Sequence, residues 1–342
     1  GNEQLISDAG TPVIGQICFV SAVSFVSVSL SGSYLAVIHG KVLDICVVDG
    51  TASFVLKSIT LKSGLLRTLN CQWSRKGADL LAVLHNKELR VVCPINGVIA
   101  STSLAVSRFS LAAVDWSPVC ADLMVGNGQS LQFYRGNTLE MIGEEVTILS
   151  SNSACVHHLH WLTETDVALG FLNEQSEDVQ PRFLIIRMGV SPRAWDFSQE
   201  NLILNLELVK ENHIFLSPFI HGWNCLLLLS NLSPECGILK LTTENEWIAV
   251  YPDNDADKLS LKFSQEGWDS FPLGAAVLVP RYNGKQEVPR VLVYSTVGTL
   301  QVTLFVYNSS EKLSSYGAHR HETNVSAAKM VHTGAVPKQI VP

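Results

Sequence analysis

The chain has 342 residues, 47% hydrophobic and 16% charged, against about 25% charged in an average globular protein, which excludes a chain too polar to build a core. Its formal charge is −7, from 24 basic and 31 acidic residues with no basic block; this argues against direct nucleic-acid binding through phosphate neutralisation and suits a basic protein partner better. None of the eight cysteines stands in a C-x-x-C pair, which excludes zinc-ribbon and thioredoxin readings, so reduced buried thiols of a nucleocytoplasmic protein are expected.

Residues 1–22 hold Glu3 and Asp8 but no Lys or Arg, so they do not read as a signal peptide. Gly10 to Ile38 carries no charge and is long enough to span a bilayer. Its serines and the alternation Ser24-Phe25-Val26-Ser27-Val28-Ser29 predict half-buried strands instead of a membrane helix. Four segments then repeat one pattern, a short apolar strand, a polar turn and an L-x-V strand. They run from Val26 to Val37, from Asn70 to Val83, from Val114 to Gly126 and from His158 to Gly170. Aligned on one position, they place Val28, Trp73, Trp116 and Trp161 at spacings of 45, 43 and 45 residues.

That period and the two-residue alternation predict the four-stranded blades of a WD40-like β-propeller. A blade cannot cover both its faces alone, so it packs against neighbours. Two weaker repeats follow. One runs through Trp223–Leu229 and Gly237–Leu241, the other through Ala275–Val279, Val291–Tyr294 and Leu300–Phe305. Six blades are legible. Residues 171–182 read as a polar exposed hairpin loop, and residues 251–272 as an insertion carrying an acidic run. The propeller is assigned to residues 1–310. Residues 311–342, rich in Ser, Ala, His and Lys, read as an extended or disordered C-terminal segment.

No nucleophile elbow, P-loop, dinucleotide fingerprint or H-E-x-x-H motif occurs, so no catalytic residue, cofactor or metal site is expected. Gly126-Asn127-Gly128 reads as a hairpin turn. His157, His158 and His160 cluster, and the last two share a strand face; structural or surface histidines are expected. Asp253, Asp255 and Asp257 have calcium-loop spacing, but Lys258 and Ser264 stand where the loop needs its glycine and bidentate glutamate. A solvated loop and a docking patch for a basic partner both remain. Glu144 and Glu145 form a second, smaller acidic site. Trp195, Trp247 and Trp268 fall outside the repeat.

Val114-Asp115-Trp116-Ser117-Pro118 and Leu159-His160-Trp161-Leu162 resemble consecutive blades of the N-terminal propeller of the cytoplasmic-filament FG nucleoporin, the CAN-type nucleoporin. Asp269-Ser270-Phe271-Pro272-Leu273-Gly274, followed by the run from Arg290 to Leu300, resembles that family's last blade. Coverage runs from Val23 to Tyr307. The resemblance implies a catalytically inert, seven-bladed propeller at the cytoplasmic face of the nuclear pore. It implies docking of the N-terminal RecA-like domain of the DEAD-box mRNA-export helicase, in competition with RNA, and association with other nucleoporins. It also implies a contact in the loop before the last blade, with Lys258 near the family's basic contact residue and Asp255 and Asp257 just before it. In that family a complete blade precedes the segment matching Val23 to Asp49, where 22 residues stand here. The alternative is a propeller adaptor of a coat, trafficking or ubiquitin-ligase complex.

Overall fold

Alternating apolar and polar residues become strands wherever the sequence carries them. The computed structural model describes residues 23–48, 53–61, 70–85, 88–104, 112–148, 154–173, 182–189, 192–198, 215–231, 233, 235–251, 261, 271–278, 281–282, 285–286, 289–296 and 300–304. The expected C-terminal segment, 311–342, lies outside them.

Six sheets follow in chain order. The first holds β1 (Val23–Val28), β2 (Tyr34–His39), β3 (Val42–Val48) and β4 (Ser53–Thr60). The second holds β5 (Asn70–Trp73), β6 (Leu81–His85), β7 (Glu88–Cys93) and β8 (Gly97–Ser103). The third holds β9 (Ala112–Trp116), β10 (Asp122–Asn127), β11 (Ser130–Arg135) and β12 (Val146–Thr147). In the fourth, β13 (Ala154–Trp161), β14 (Asp166–Asn173), β15 (Arg182–Arg187) and β16 (Arg193–Asp196) run in sequence order. The fifth centres on β19 (Cys225–Ser230), which pairs with β17 (Phe215–Leu216), β18 (Phe219–Ile220) and β20 (Gly237–Leu241); β21 (Trp247–Val250) closes it. The sixth is β22 (Pro272–Leu278), β25 (Arg290–Ser295) and β26 (Leu300–Leu304), with a separate hairpin of β23 (Arg281–Tyr282) and β24 (Lys285–Gln286).

One hydrogen bond recurs at the aligned position. The residue after it donates its N–H to a carbonyl at the start of the second strand or just before it: Ser29 to Tyr34 (2.9 Å), Ser74 to Leu80 (2.7 Å), Ser117 to Asp122 (2.9 Å) and Leu162 to Asp166 (2.9 Å). The repeat register is therefore real. The aligned side chains are not equivalent, however. Trp73, Trp116 and Trp161 are buried, whereas Val28 is 58% exposed, because Val26 and Val28 point away from the core that receives Phe25.

Two sequence expectations are corrected. Residues 171–173 belong to β14, with Phe171 buried. Arg182 opens β15 and pairs with Asp196 (2.5 Å), so of the expected loop only residues 174–181 remain, outside the described residues. Trp223 closes a 3-10 turn, His221–Trp223, ahead of β19. Among the described residues no helix is long and apolar enough to cross a membrane, and 23–28 and 34–38 of the uncharged stretch are strands.

The chain forms two compact units. In the first, Ala36, Ile38, Leu43 and Ile45 pack against Trp73, Leu81 and Val83. The indole N–H of Trp73 donates to the Ser27 carbonyl (3.0 Å), and that of Trp116 to the Gln72 carbonyl (2.7 Å). Each ring thus reaches back to the residue before the aligned position of the previous sheet. In the second unit, Phe183, Ile185 and Phe197 pack with Phe215, Phe219 and Trp247, and Leu227 and Leu229 pack with Val291 and Val293. Burial of each such side chain contributes roughly 1.5–3 kcal/mol.

Candidate functional site

Asp253, Asp255, Asp257 and Lys258 lie outside the described residues, as does Trp268. Glu144 and Glu145 are described, between β11 and β12, and both are exposed. The Glu145 carboxylate is held from β11: Ser130 Oγ donates to Oε1 and Gln132 Nε2 donates to Oε2 (3.1 Å). Glu145 is therefore partly committed to its own sheet.

Of the segment Asp269–Gly274, the described part, from Phe271, leads directly into β22. Phe271 and Thr296 exchange hydrogen bonds: Phe271 N–H donates to Thr296 Oγ1 (3.1 Å) and Thr296 N–H to the Phe271 carbonyl (2.9 Å). Pro272 is buried and Leu273 is 45% exposed. β25 pairs with both β22 and β26 in the antiparallel sense.

The histidines are structural. Two residues apart in β13, His158 and His160 share one face, and a bulge between Val156 and His158 precedes them. His158 Nε2 and Ser217 Oγ are 2.7 Å apart; His160 Nδ1 lies 2.5 Å from the Ser217 carbonyl and 3.0 Å from its Oγ. Burial against Phe183 and Phe215 pushes the His158 pKa down to about 4. Ser217 is 5% exposed, and the pairing ties β13 to the residue that follows β17. Among the described residues no three His, Cys, Asp or Glu are arranged to hold a metal ion. A cavity of ≈ 10 Å³ lined by Leu61, Val83, His85, Glu88 and Arg90 has room for about one water.

A second polar centre was not legible in the sequence. Asp166, fully buried, accepts from Arg187 Nε (2.6 Å), Arg187 Nη2 (2.7 Å) and the Trp247 indole (2.9 Å). Burial alone would raise this carboxyl's pKa; the hydrogen bonds from Arg187 and Trp247 outweigh it and hold it below the usual range. Arg187 lies 5.1 Å over the Trp195 ring, and Trp195 donates to Glu246 (2.9 Å), which also pairs with Arg193. The network joins the fourth and fifth sheets. Asp115, 1% exposed and paired with Arg75, plays the same part between the second and third. Of the tryptophans outside the repeat, Trp195 and Trp247 thus close the last strands of two neighbouring sheets. Their partners are 51 and 81 residues distant, so no local pattern announces them.

Buried thiols are the expectation from the sequence; of the seven cysteines among the described residues four are buried, while Cys93 and Cys236 are half-buried and Cys120 departs from the expectation. Cys46, Cys71, Cys155 and Cys225 are buried, and Cys120 is exposed. Burial pushes the Cys46 and Cys225 thiols up to about 11.

No family model and no curated protein matches the chain. Solved structures do. The WD40 domain of Toxoplasma gondii coronin is similar at a TM-score of 0.53 and 12% identity, over 82% of this chain and 68% of that one. A chain of the mitotic checkpoint complex is similar at 0.52 and 12% identity, over 86% and 78%. Kluyveromyces lactis Hsv2p reaches 0.48 at 12% identity, over 89% and 80%. With the sheet order above, the first two show the fold: all-β, a WD40-like β-propeller.

Proposed function

We propose that this WD40-like propeller is a non-catalytic protein-docking scaffold, the propeller of a CAN-type nucleoporin at the cytoplasmic face of the nuclear pore. Its partner is the N-terminal RecA-like domain of the DEAD-box mRNA-export helicase, beside other nucleoporins. The observation that carries the reading is the last-blade segment, Asp269 to Gly274. It runs into β22, whose partner strand β25 holds Arg290 to Ser295 and pairs with β26, in the order the resemblance requires. An acidic chain with an aspartate run ahead of this sheet supports a partner with a basic surface.

The test is a pull-down of the folded chain with the helicase at low and high salt, with and without RNA. Salt-sensitive binding that RNA displaces is expected. Replacing Asp253, Asp255 and Asp257 together by Asn is expected to weaken binding about tenfold or more while circular dichroism stays unchanged. Unchanged binding in that variant overturns the site, and no binding by a folded sample transfers the chain to the coat, trafficking or ubiquitin-ligase adaptors.

A further inference from the structure

Two outer strands carry the same irregularity. In β4, Ile45 pairs with Lys57 and Cys46 with Val55, so Leu56 is the extra residue of a bulge. In β8, Val91 pairs with Ala100 and Val92 with Val98, so Ile99 is the extra residue. The two positions are 43 residues apart, one blade period.

A bulge breaks the strict alternation of faces. At each bulge consecutive apolar side chains both meet solvent: Val55 at 40% and Leu56 at 39%, Val98 at 45% and Ile99 at 40%. Ile95, in the turn entering β8, is 72% exposed. The two pairs are neighbours. A Cβ placed on Gly97 would meet Lys57 Cε at 2.9 Å, so the Lys57 stem lies against the start of β8. Single exposed apolar residues are ordinary, but a repeated, adjoining set of five is not.

The local charge is cationic although the chain is acidic. Among the described residues of the first sheet the charged side chains that reach solvent are Lys41 and Lys57, while Asp44 is buried beside His39 (2.8 Å). In the second sheet Arg90 is matched by Glu88 (3.0 Å) and Arg75 by Asp115, and the turn after β5 adds exposed Lys76 and half-buried Asp79, which accepts from the Ser31 N–H (3.3 Å). The bulges also interrupt the outer hydrogen-bonding edges, which disfavours an added strand. A partner with an internally satisfied backbone fits better, and that is a helix. Packed sheets stand about 10 Å apart, close to two helical turns of about 5.4 Å each. An i, i+3/i+4, i+7 apolar stripe therefore spans both bulges.

We propose that Val55, Leu56, Ile95, Val98 and Ile99, with Lys57 between them, form a docking surface for an acidic amphipathic helix of a partner protein. The probe is a fluorescein-labelled helical peptide with leucines on one stripe and glutamates flanking it, titrated with the full chain by anisotropy. Leu56→Asp and Ile99→Asp are each expected to weaken binding about tenfold, the loss from one apolar anchor. Lys57→Glu is expected to weaken it and remove its salt dependence. Val119→Asp, an exposed valine of the third sheet (44%), is expected to change nothing. All these residues are exposed, and circular dichroism verifies folding. The proposal is overturned if a scrambled peptide of equal composition binds as well, or if Ile99→Asp binds unchanged. It is overturned equally if an alternating valine–aspartate strand peptide binds more tightly, or if sedimentation shows a dimer of this chain that Ile99→Asp dissociates.

Discussion

His158 and Asp166 are eight residues apart, and both tie the molecule's stability to pH. The His158 imidazole is held neutral, with a folded pKa of about 4, below the unfolded value of about 6.5. The unfolded chain therefore binds the extra proton between those values, and stability falls as pH drops through that window. After allowance for the solvent the residue retains, the loss is about 2 kcal/mol. His158→Gln, which keeps a hydrogen-bonding group toward Ser217, is expected to flatten this dependence in urea titrations run from neutral to mildly acid pH. Asp166 acts lower. Its pKa is depressed in the fold, so its contribution is present above the unfolded value of about 3.9 and is lost as pH falls below it. Asp166→Ala removes the carboxylate partner of Arg187 and the acceptor of the Trp247 indole. It is expected to cost about 3–5 kcal/mol at neutral pH in a denaturant titration.

Strands and turns show what periodicity conveys and what it does not. The aligned tryptophans were legible because the same role recurs every 43 to 45 residues. Gly126-Asn127-Gly128 read as a hairpin turn, and Gly128 at φ +61° fits that. Gly126, however, is a strand residue whose absent side chain leaves room for Val156: a Cβ there would stand 2.5 Å from Val156 Cγ1. Gly170 ends the equivalent run in β14, and a Cβ on it would stand 2.5 Å from Phe215 Cδ2 and 2.9 Å from His158 Cβ. Each glycine sets how closely the next sheet's inner strand approaches. Close approach of distant segments leaves no local trace, so the sequence reading missed it, as it missed the Asp166 network. Gly170→Ala is expected to cost about 1–3 kcal/mol through overpacking, read from the denaturation midpoint. Trp116→Ala, which empties a fully buried site and leaves the Gln72 carbonyl without its donor, is expected to cost about 3–5 kcal/mol.

At the scale of the whole molecule, the fold class was readable and the docking site much less so. Repeated strands leave a period, whereas a recognition surface is a set of solvent-facing side chains with no period to obey. Glu144 and Glu145 illustrate this: the sequence marked the charges but not the Ser130 and Gln132 side chains that engage Glu145. Redox behaviour is a property of the whole chain. The seven cysteines among the described residues are free, and Cys120 is exposed. Among these seven, thiol reagents are expected to label Cys120 fast in the native state and the buried thiols only in denaturant, as peptide mass mapping would read. A melting temperature unaffected by reductant is the matching thermal outcome.

The backward-reaching indoles of Trp73 and Trp116 give the first unit a polarity in time. Each N–H takes its acceptor from the sheet that precedes it in the chain, and a ribosome delivers that acceptor first. A nascent chain halted after any of these sheets exposes at its growing end only a waiting carbonyl, which water serves at little cost. The same sheets lost from the other end would strand an indole donor inside an apolar layer. Assembly by accretion, sheet upon finished sheet in the direction of synthesis, is therefore the route along which no intermediate holds a buried unmet indole donor.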